Sequence, residues 1–113
     1  MKKSLIVGMG IGQLYKQVLT ELDHEVTTVD SNIFKNADFP DVKSAILSRG
    51  PFDTVHICTP NWTHEKIAYD VAPYARIVFI EKPGLKTSAD WFRLVYAFPQ
   101  TRFMMVKNNM WLS

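Results

Sequence analysis

The sequence predicts an α/β protein built on a doubly wound parallel sheet of about five strands, with helices on both faces. Two observations carry this prediction: short β-rich runs alternate along the chain with amphipathic segments, and each β-rich run is almost continuously apolar. Continuous apolar runs are typical of strands buried on both faces of a parallel sheet, whereas one exposed face leaves an alternating pattern. The 113 residues suit one domain of this kind.

Five apolar runs are predicted to be strands. In chain order they are Ser4–Gly8, Glu25–Asp30, Asp53–Cys58, Arg76–Glu81 and Thr101–Val106. Because a helical segment separates each run from the next, we expect parallel strands joined by right-handed crossovers. In such a sheet, ligands bind beyond the carboxyl ends of the strands, where the strand order reverses. The residues that directly follow each strand are therefore the candidates for a binding site.

The first two helical segments have recognisable faces and ends. Apolar residues at helical spacing predict one buried face on the first segment, formed by Ile11, Leu14, Tyr15, Val18, Leu19 and Leu22. The second segment is expected to begin at an Asp41 N-cap after Pro40 and to end before Gly50, since these residue types favour helix termini.

The third and fourth segments follow the same pattern. Pro73 closes the third segment, whose buried face is predicted to contain Ile67, Ala68, Val71 and Ala72. Thr87 and Asp90 resemble a capping box at the start of the fourth. Its apolar face consists of Trp91, Leu94, Val95 and Phe98. Strands and helices thus alternate through the chain.

Composition and charge argue against several classes of protein. Hydrophobic residues make up 47% of the chain, yet no apolar run approaches the roughly 20 residues of a membrane span. The net charge is only +2, and the basic residues are scattered instead of clustering with aromatic residues. We therefore expect neither a membrane nor a nucleic-acid partner.

The chain contains a single cysteine, Cys58, so neither a disulfide framework nor a cysteine-cluster metal site is expected, and no metal is predicted. The apolar stretch after the basic start is too short for a signal peptide. These features predict a cytoplasmic protein. Cys58 itself is expected to be a small buried residue, and His56, in the middle of a strand, to be a core histidine.

A glycine-rich turn follows the first strand, where Gly8, Gly10 and Gly12 alternate with Met9 and Ile11. Glycines here let the backbone bend sharply and approach a phosphate, while the N–H groups of the following helix point at the anion. The usual dinucleotide spacing is G-x-G-x-x-G, whereas this third glycine comes one residue early. The turn predicts phosphate binding, but glycines also serve tight packing between a strand and a helix.

Asp30 ends the second predicted strand about 20 residues after Gly8, the spacing expected for an acid that binds ribose hydroxyls. A carboxylate there repels a 2′-phosphate, which favours NAD over NADP, although Lys35 lies near enough in sequence to leave NADP open. Two alternatives stay open on these residues. Asp30 could merely start a turn, and the same pattern occurs in S-adenosylmethionine-dependent methyltransferases.

Two further turns carry a more specific signal. The third strand is followed by Thr59-Pro60-Asn61 with His64 close behind, and the fourth ends in Glu81-Lys82-Pro83. Together with the glycine turn and Asp30, these segments resemble the N-terminal NAD(P)-binding domain of the glucose–fructose oxidoreductase/inositol dehydrogenase (Gfo/Idh/MocA) family. That family characteristically carries T-P-N-x-x-H and E-K-P at these places, and the resemblance extends over essentially the whole chain.

The resemblance implies a Rossmann-type fold, NAD as the cofactor with NADP left open, and a catalytic role for Lys82, which would position and polarise a substrate oxygen. The cofactor ligands that it implies are Gly8, Gly10, Ile11, Gly12, Asp30, Thr59, Pro60, Asn61, His64, Glu81 and Lys82. Asn108 or Asn109 would match an asparagine that follows the family's fifth strand.

The first hypothesis for function is the NAD(P)-binding domain of an oxidoreductase that transfers a hydride to or from a sugar or polyol. Family members continue into a substrate domain, which we expect to be absent from residues 1–113. The alternative is a non-catalytic dinucleotide-binding or regulatory module that needs a partner. Apolar residues near the terminus are expected to attract a partner chain or a second copy, namely Phe98, Phe103, Met104, Met105, Met110 and Trp111. The methyltransferase is least favoured, because no active-site loop of that class follows the fourth strand.

Overall fold

Strands and helices alternate in the computed structural model, which describes residues 1–82 and 84–106. The described strands are β1 (Lys3–Val7), β2 (Glu25–Val29), β3 (Phe52–Ile57), β4 (Ala75–Glu81) and β5 (Arg102–Val106). The described helices are α1 (Gly12–Glu21), α2 (Val42–Arg49), α3 (His64–Val71) and α4 (Ser88–Ala97). Every strand begins and ends within one residue of its predicted bounds.

All five strands form one parallel sheet in the order β2-β1-β3-β4-β5, which confirms the doubly wound architecture. An isolated parallel bridge between Val29 and Phe39 adds one residue pair beyond β2. The chain first winds from β1 to β2 and then returns to β3 on the other side of β1. Val7 lies opposite both Val29 and Ile57, so β1, β2 and β3 end side by side at the reversal point.

The two faces of the sheet are covered unequally. The larger core cluster joins Ala45 of α2, Ala68 and Val71 of α3, and Leu94 of α4 to one face of the sheet. The smaller cluster, on the other face, consists of Ile6, Met9 and Leu19, with Leu19 contributed by α1. Helices therefore lie on both faces, as predicted, with three on one side and α1 on the other.

The predicted buried face of α1 is only partly correct. Leu19 is buried and Tyr15 is half-buried, but the exposed fractions of Leu14, Val18 and Leu22 are 42%, 46% and 64%. Of the described helices, α1 alone lies on its face of the sheet, so no neighbouring helix covers its flanks. The apolar stripe is wider than the surface that the sheet can bury.

The predicted caps of α2 and α4 are confirmed. Asp41 accepts a hydrogen bond at 2.8 Å from the backbone N–H of Ser44, and this bond lowers the pKa of the Asp41 carboxyl. Thr87 accepts one at 3.1 Å from the N–H of Asp90. Such bonds satisfy N–H groups that the first turn of a helix leaves without partners. None of the helices in residues 1–82 and 84–106 has the length and apolar character that crossing a membrane requires.

Candidate functional site

The three glycines after β1 serve three separate purposes. Gly8 has a φ of +96°, and a Cβ there would lie 2.8 Å from the carbonyl oxygen of Cys58. A Cβ on Gly12 would lie 2.8 Å from Cγ2 of Ile6, so this glycine lets α1 approach β1 closely. A Cβ on Gly10 would meet nothing within 4 Å, so this glycine leaves open space beside the turn. A turn glycine, an approach glycine and a packing glycine are what a dinucleotide turn uses, and Gly12 packs against the strand despite its early position.

The amino end of α1 points its free N–H groups toward the same turn. The residue before the helix, Ile11, makes no side-chain capping bond, and the first turn carries no acidic residue. The N–H groups and the positive end of the helix dipole are therefore available to an anion. This arrangement suits a pyrophosphate.

Asp30 joins the end of β2 to the glycine turn. Its Oδ2 accepts a hydrogen bond of 2.8 Å from the N–H of Met9, and its Oδ1 accepts one of 2.8 Å from the N–H of Asn32. The second bond is the turn contact that the sequence left open as an alternative. Each carboxylate oxygen can accept more than one bond, so the two contacts leave capacity for a ribose hydroxyl.

A cavity of about 660 Å³ opens beside these residues at the carboxyl edge of the sheet. Five of its lining residues are predicted site residues, namely Gly8, Gly10, Asp30, Thr59 and Pro60. Sequence reasoning missed those contributed by the start of α2 and by α3, which include Pro40, Asp41, Lys43, Lys66 and Asp70. Helix starts lie at the same edge as strand ends in this fold, so the Asp41 cap was a signal for the residues at the start of α2, namely Pro40, Asp41 and Lys43. A second cavity of about 570 Å³, lined by Lys2, Asp53, Arg76 and Arg102 among others, contains none of the predicted site residues.

The turn after β3 contributes Thr59 and Pro60 to the cavity wall. Asn61–Thr63 form one 3₁₀ turn, after which α3 begins at His64. Pro60 and Asn61 are exposed and Thr59 is half-buried. Oγ1 of Thr63 lies 2.6 Å from Oγ1 of Thr59 and 2.6 Å from the carbonyl oxygen of Pro60, which holds the turn together.

His64 is buried, with 1% of its surface exposed, and it lies between two turns. Its Nε2 is 2.7 Å from the carbonyl oxygen of Thr59, and its Nδ1 is 3.1 Å from the carbonyl oxygen of Gly84. The turn after β3 is thereby joined to the turn after β4. The sequence motifs suggested both turns but not this connection between them.

The end of β4 and the turn after it contain the remaining predicted residues. Glu81 is buried, and its Oε1 accepts a hydrogen bond of 3.2 Å from the hydroxyl of Tyr15. Lys82 is exposed, while its backbone N–H donates to the carbonyl oxygen of Val106 at 2.8 Å. Its backbone is therefore held by β5 while its side chain is accessible. Pro83, Asn108 and Asn109 lie outside the described residues.

Burial shifts the pKa values of three nearby groups away from reactive ranges. Burial and, second, the Glu81 carboxyl raise the pKa values of the Tyr15 hydroxyl and the Cys58 thiol. Burial and, second, His24 lower the pKa of His56 to about 4. Cys58 is half-buried and lines the cavity instead of being fully buried as predicted, and its raised pKa makes it a poor nucleophile at neutral pH. His56, stacked on Phe79 and bonded to Thr54 at 3.1 Å, is the core histidine that its position predicted.

The comparison with known families identifies the kind of protein to which this chain belongs. Residues 2–108 match a family model described as an oxidoreductase family with an NAD-binding Rossmann fold. The chain belongs to the Gfo/Idh/MocA oxidoreductase family. NAD is accordingly its cofactor, and the glycine turn, Asp30 and the adjoining cavity fit a dinucleotide. No significant match was found among curated proteins.

Solved structures of Gfo/Idh/MocA-type dehydrogenases share this fold. The WlbA dehydrogenase of Chromobacterium violaceum, solved with NADH and UDP-GlcNAcA, has a TM-score of 0.78 and 20% identity, over 96% of this chain and 35% of its own. The Bordetella pertussis WlbA dehydrogenase, solved with the same two ligands, has a TM-score of 0.74 and 25% identity, over 94% and 36%. The myo-inositol 2-dehydrogenase of Lactobacillus plantarum has a TM-score of 0.75 and 16% identity, and the match covers 93% of this chain and 36% of that one. The chain thus spans about a third of the length of these Gfo/Idh/MocA structures.

Proposed function

We propose that this NAD-binding domain serves hydride transfer between nicotinamide and a carbon that carries a hydroxyl or carbonyl group, on a sugar or a polyol. The observation that supports this most strongly is the junction made by His64. It brings the turn after β4, which begins at Lys82 (the Lys82 turn), beside the turn after β3, which begins at Thr59 (the Thr59 turn). The Thr59 turn lines the cavity. The related dehydrogenases solved with UDP-GlcNAcA, and the related myo-inositol 2-dehydrogenase, support the substrate class.

Each part of the cofactor has a matching element in this proposal. Asp30 accepts hydrogen bonds from the adenosine ribose, while Gly10, Ile11 and Gly12 bring backbone N–H groups to the pyrophosphate. The turn from Thr59 to Asn61 and the backbone at Glu81 border the nicotinamide. Bound NAD supplies the hydride acceptor. The carboxylate of Asp30 favours NAD. Lys43, which lines the cavity as Lys66 does and Lys35 does not, is the lysine that we assign to a 2′-phosphate if NADP binds.

Lys82 acts on the substrate in this proposal. Its exposed ammonium group would donate a hydrogen bond to the substrate oxygen, which gains negative charge as the hydroxyl proton passes to solvent water. A cation fixed at that oxygen stabilises the developing charge. Because Lys82 follows directly after β4, its backbone moves little while the side chain reaches into solvent.

The substrate domain, the partner and the compartment also belong to the proposal. We expect a second domain or partner chain to complete the substrate pocket and the exclusion of water. Met104 and Met105, at 44% and 40% exposed, are the described part of the apolar terminal segment that would face it, whereas Phe98 and Phe103 pack against the core. Met110 and Trp111 lie outside the described residues. The single cysteine is the basis for a cytoplasmic location.

A turnover assay separates this proposal from its non-catalytic alternative. The chain is assayed with NAD and a panel of sugars, polyols and their nucleotide derivatives, alone and joined to the substrate domain of a related dehydrogenase. NADH formation that disappears in Lys82→Ala supports the oxidoreductase. Saturable NADH binding without turnover in either form supports the regulatory module instead.

A further inference from the structure

His64 is a buried polar side chain whose two polar atoms both contact backbone. The carbonyl oxygens of Thr59 and Gly84 lie 2.7 Å from Nε2 and 3.1 Å from Nδ1. Each ring nitrogen lies within hydrogen-bond distance of one carbonyl oxygen, and the tautomer decides which nitrogen donates. Two turns far apart in sequence are therefore connected through one side chain.

The two contacts act on the parts of the site that must be aligned. Thr59 lines the cofactor cavity, and Gly84 lies two residues after Lys82. The other side of the Lys82 turn is held by the bond from the Lys82 N–H to Val106. Gly84 also packs closely on β5, since a Cβ there would lie 3.0 Å from the Met105 side chain. The turn is thus held by β5 on one side and by His64 on the other.

We propose that His64 is a positioning residue, which fixes the Lys82 turn against the Thr59 turn so that Lys82 and the nicotinamide half of the cofactor share one rigid frame. The inference rests on the proposed function. It assigns His64 an action through the two turns instead of direct contact with the cofactor, since both ring nitrogens are directed at backbone carbonyls. Alignment of reacting groups by a fixed frame is a large part of enzymatic rate.

The adenosine half of the site provides an internal control. Gly8 and Asp30 are held by bonds that do not involve His64, namely Gly8 N–H to the Val29 carbonyl and Met9 N–H to Asp30. Loss of the His64 ring should therefore loosen the nicotinamide half and leave the adenosine half unchanged. A merely structural residue would affect both halves equally.

The test compares His64→Leu with His56→Leu, since His56 is also buried but bonds to Thr54 and stacks on Phe79, which belong to strands and not to either turn. Calorimetric titration gives the Kd of each variant for NADH and for ADP-ribose, which lacks the nicotinamide. We expect the unmodified chain to bind NADH more tightly than ADP-ribose. In His64→Leu the Kd for NADH should rise about tenfold, while the Kd for ADP-ribose should change by no more than about twofold. His56→Leu should leave the ratio of the two constants unchanged. Equal affinities of the unmodified chain for the two ligands, or an unchanged ratio in His64→Leu, would overturn the proposal.

Amide hydrogen exchange tests the same inference without a ligand. In His64→Leu, exchange at the Lys82 N–H should accelerate at least tenfold relative to exchange at the Gly8 N–H. Equal acceleration at both amides, or none at Lys82, overturns the positioning role. If the unmodified chain binds neither ligand, the proposed function fails, while the exchange data still decide whether His64 holds the turn.

A measurement on the unmodified chain covers the case in which His64→Leu does not fold. Nitrogen-resolved NMR of the histidine rings should detect an N–H proton on His64 that is protected from exchange with water. A His64 ring with no protected N–H would show that the ring holds neither turn and would contradict the proposal. His64→Gln, whose side-chain amide keeps N–H donors, should retain more of the preference for NADH than His64→Leu.

Discussion

The carboxylate of Asp30 accepts a hydrogen bond of 2.8 Å from the backbone N–H of Met9, so the acid that ends β2 also holds the glycine turn that follows β1. In the proposed function the same carboxylate also binds the ribose, so cofactor affinity would depend on the conformation of the turn. A second bond, of 2.8 Å from the Gly8 N–H to the Val29 carbonyl oxygen, also joins the glycine turn to the end of β2. The turn is consequently formed before any ligand arrives, which lowers the entropic cost of binding.

Replacing Asp30 by Asn removes the charge and keeps one acceptor oxygen for the turn. We expect the Kd for NADH to rise about tenfold and the margin over NADPH to narrow, because the repulsion of a 2′-phosphate is lost. Calorimetry with both dinucleotides measures this. Asp38→Asn is the matched control, since Asp38 bonds to Thr28 and does not line the cavity. Unchanged NADH affinity in Asp30→Asn would refute the ribose assignment.

Alanine should affect stability at Gly8 and NADH affinity at Gly10. Gly8→Ala places a Cβ 2.8 Å from the Cys58 carbonyl oxygen at a positive φ, which should reduce the free energy of unfolding by about 2 kcal/mol or more. Gly10→Ala meets no protein atom within 4 Å and should change that free energy by less than about 0.5 kcal/mol. Its Cβ occupies the space in which a phosphate would approach, so NADH affinity should fall about tenfold.

Denaturant titration and calorimetry of the two glycine variants provide the check. A stable Gly10→Ala with unchanged affinity would show that the phosphate binds elsewhere. A Gly8→Ala as stable as the unmodified chain would mean that the turn can relax around the added carbon.

Lys82→Ala should leave the cofactor in place and abolish the chemistry. In a form of the protein that turns over substrate, we expect kcat to fall by about 10² to 10³-fold, the range typical of removing one donor that stabilises developing negative charge. The Kd for NADH should stay within a few fold. Lys86→Ala, at an exposed lysine in the loop before α4, is the control and should keep full activity. Retained turnover in Lys82→Ala would remove the catalytic role.

His56 predicts a specific dependence of stability on pH. Its pKa is lowered from 6.5 to about 4, so the unfolded chain takes up a proton at a higher pH than the folded chain does. Stability should therefore be full above about pH 6.5 and fall as the pH drops toward about 4, by up to about 3 kcal/mol.

His56→Phe removes this titration and retains the stacking on Phe79. Denaturant unfolding at several pH values should give a flatter curve for the variant over that window. The same slope in both proteins would place the proton uptake at another group.

Most of the fold could be predicted from the sequence because apolar strand runs and helix caps are local patterns. Continuous apolar runs such as Val78 to Ile80 identified the parallel strands, and the caps at Asp41 and Thr87 identified helix starts. The burial of α1 was overestimated because the width of a buried stripe depends on neighbouring helices. Periodicity within one segment does not contain that information.

Some residues of the candidate site could likewise be predicted from local sequence, and others could not. Gly8, Gly10 and Asp30 follow their strands directly, so strand ends were enough to find them. The junction at His64 required the Gly84 carbonyl, 20 residues further along the chain, to come within 3.1 Å of the ring. The contributions of Lys66 and Asp70 depend on how α3 lies over the sheet. Contacts of this kind arise from tertiary packing and leave no local pattern.

The most direct test of the account is a calorimetric titration of the 113-residue chain with NADH, NADPH and S-adenosylmethionine in parallel. We predict saturable binding of NADH, weaker binding of NADPH and no binding of S-adenosylmethionine. Binding of S-adenosylmethionine alone, or of no ligand at all, would contradict the claim that the edge formed by the glycine turn, Asp30 and Thr59 is a dinucleotide site.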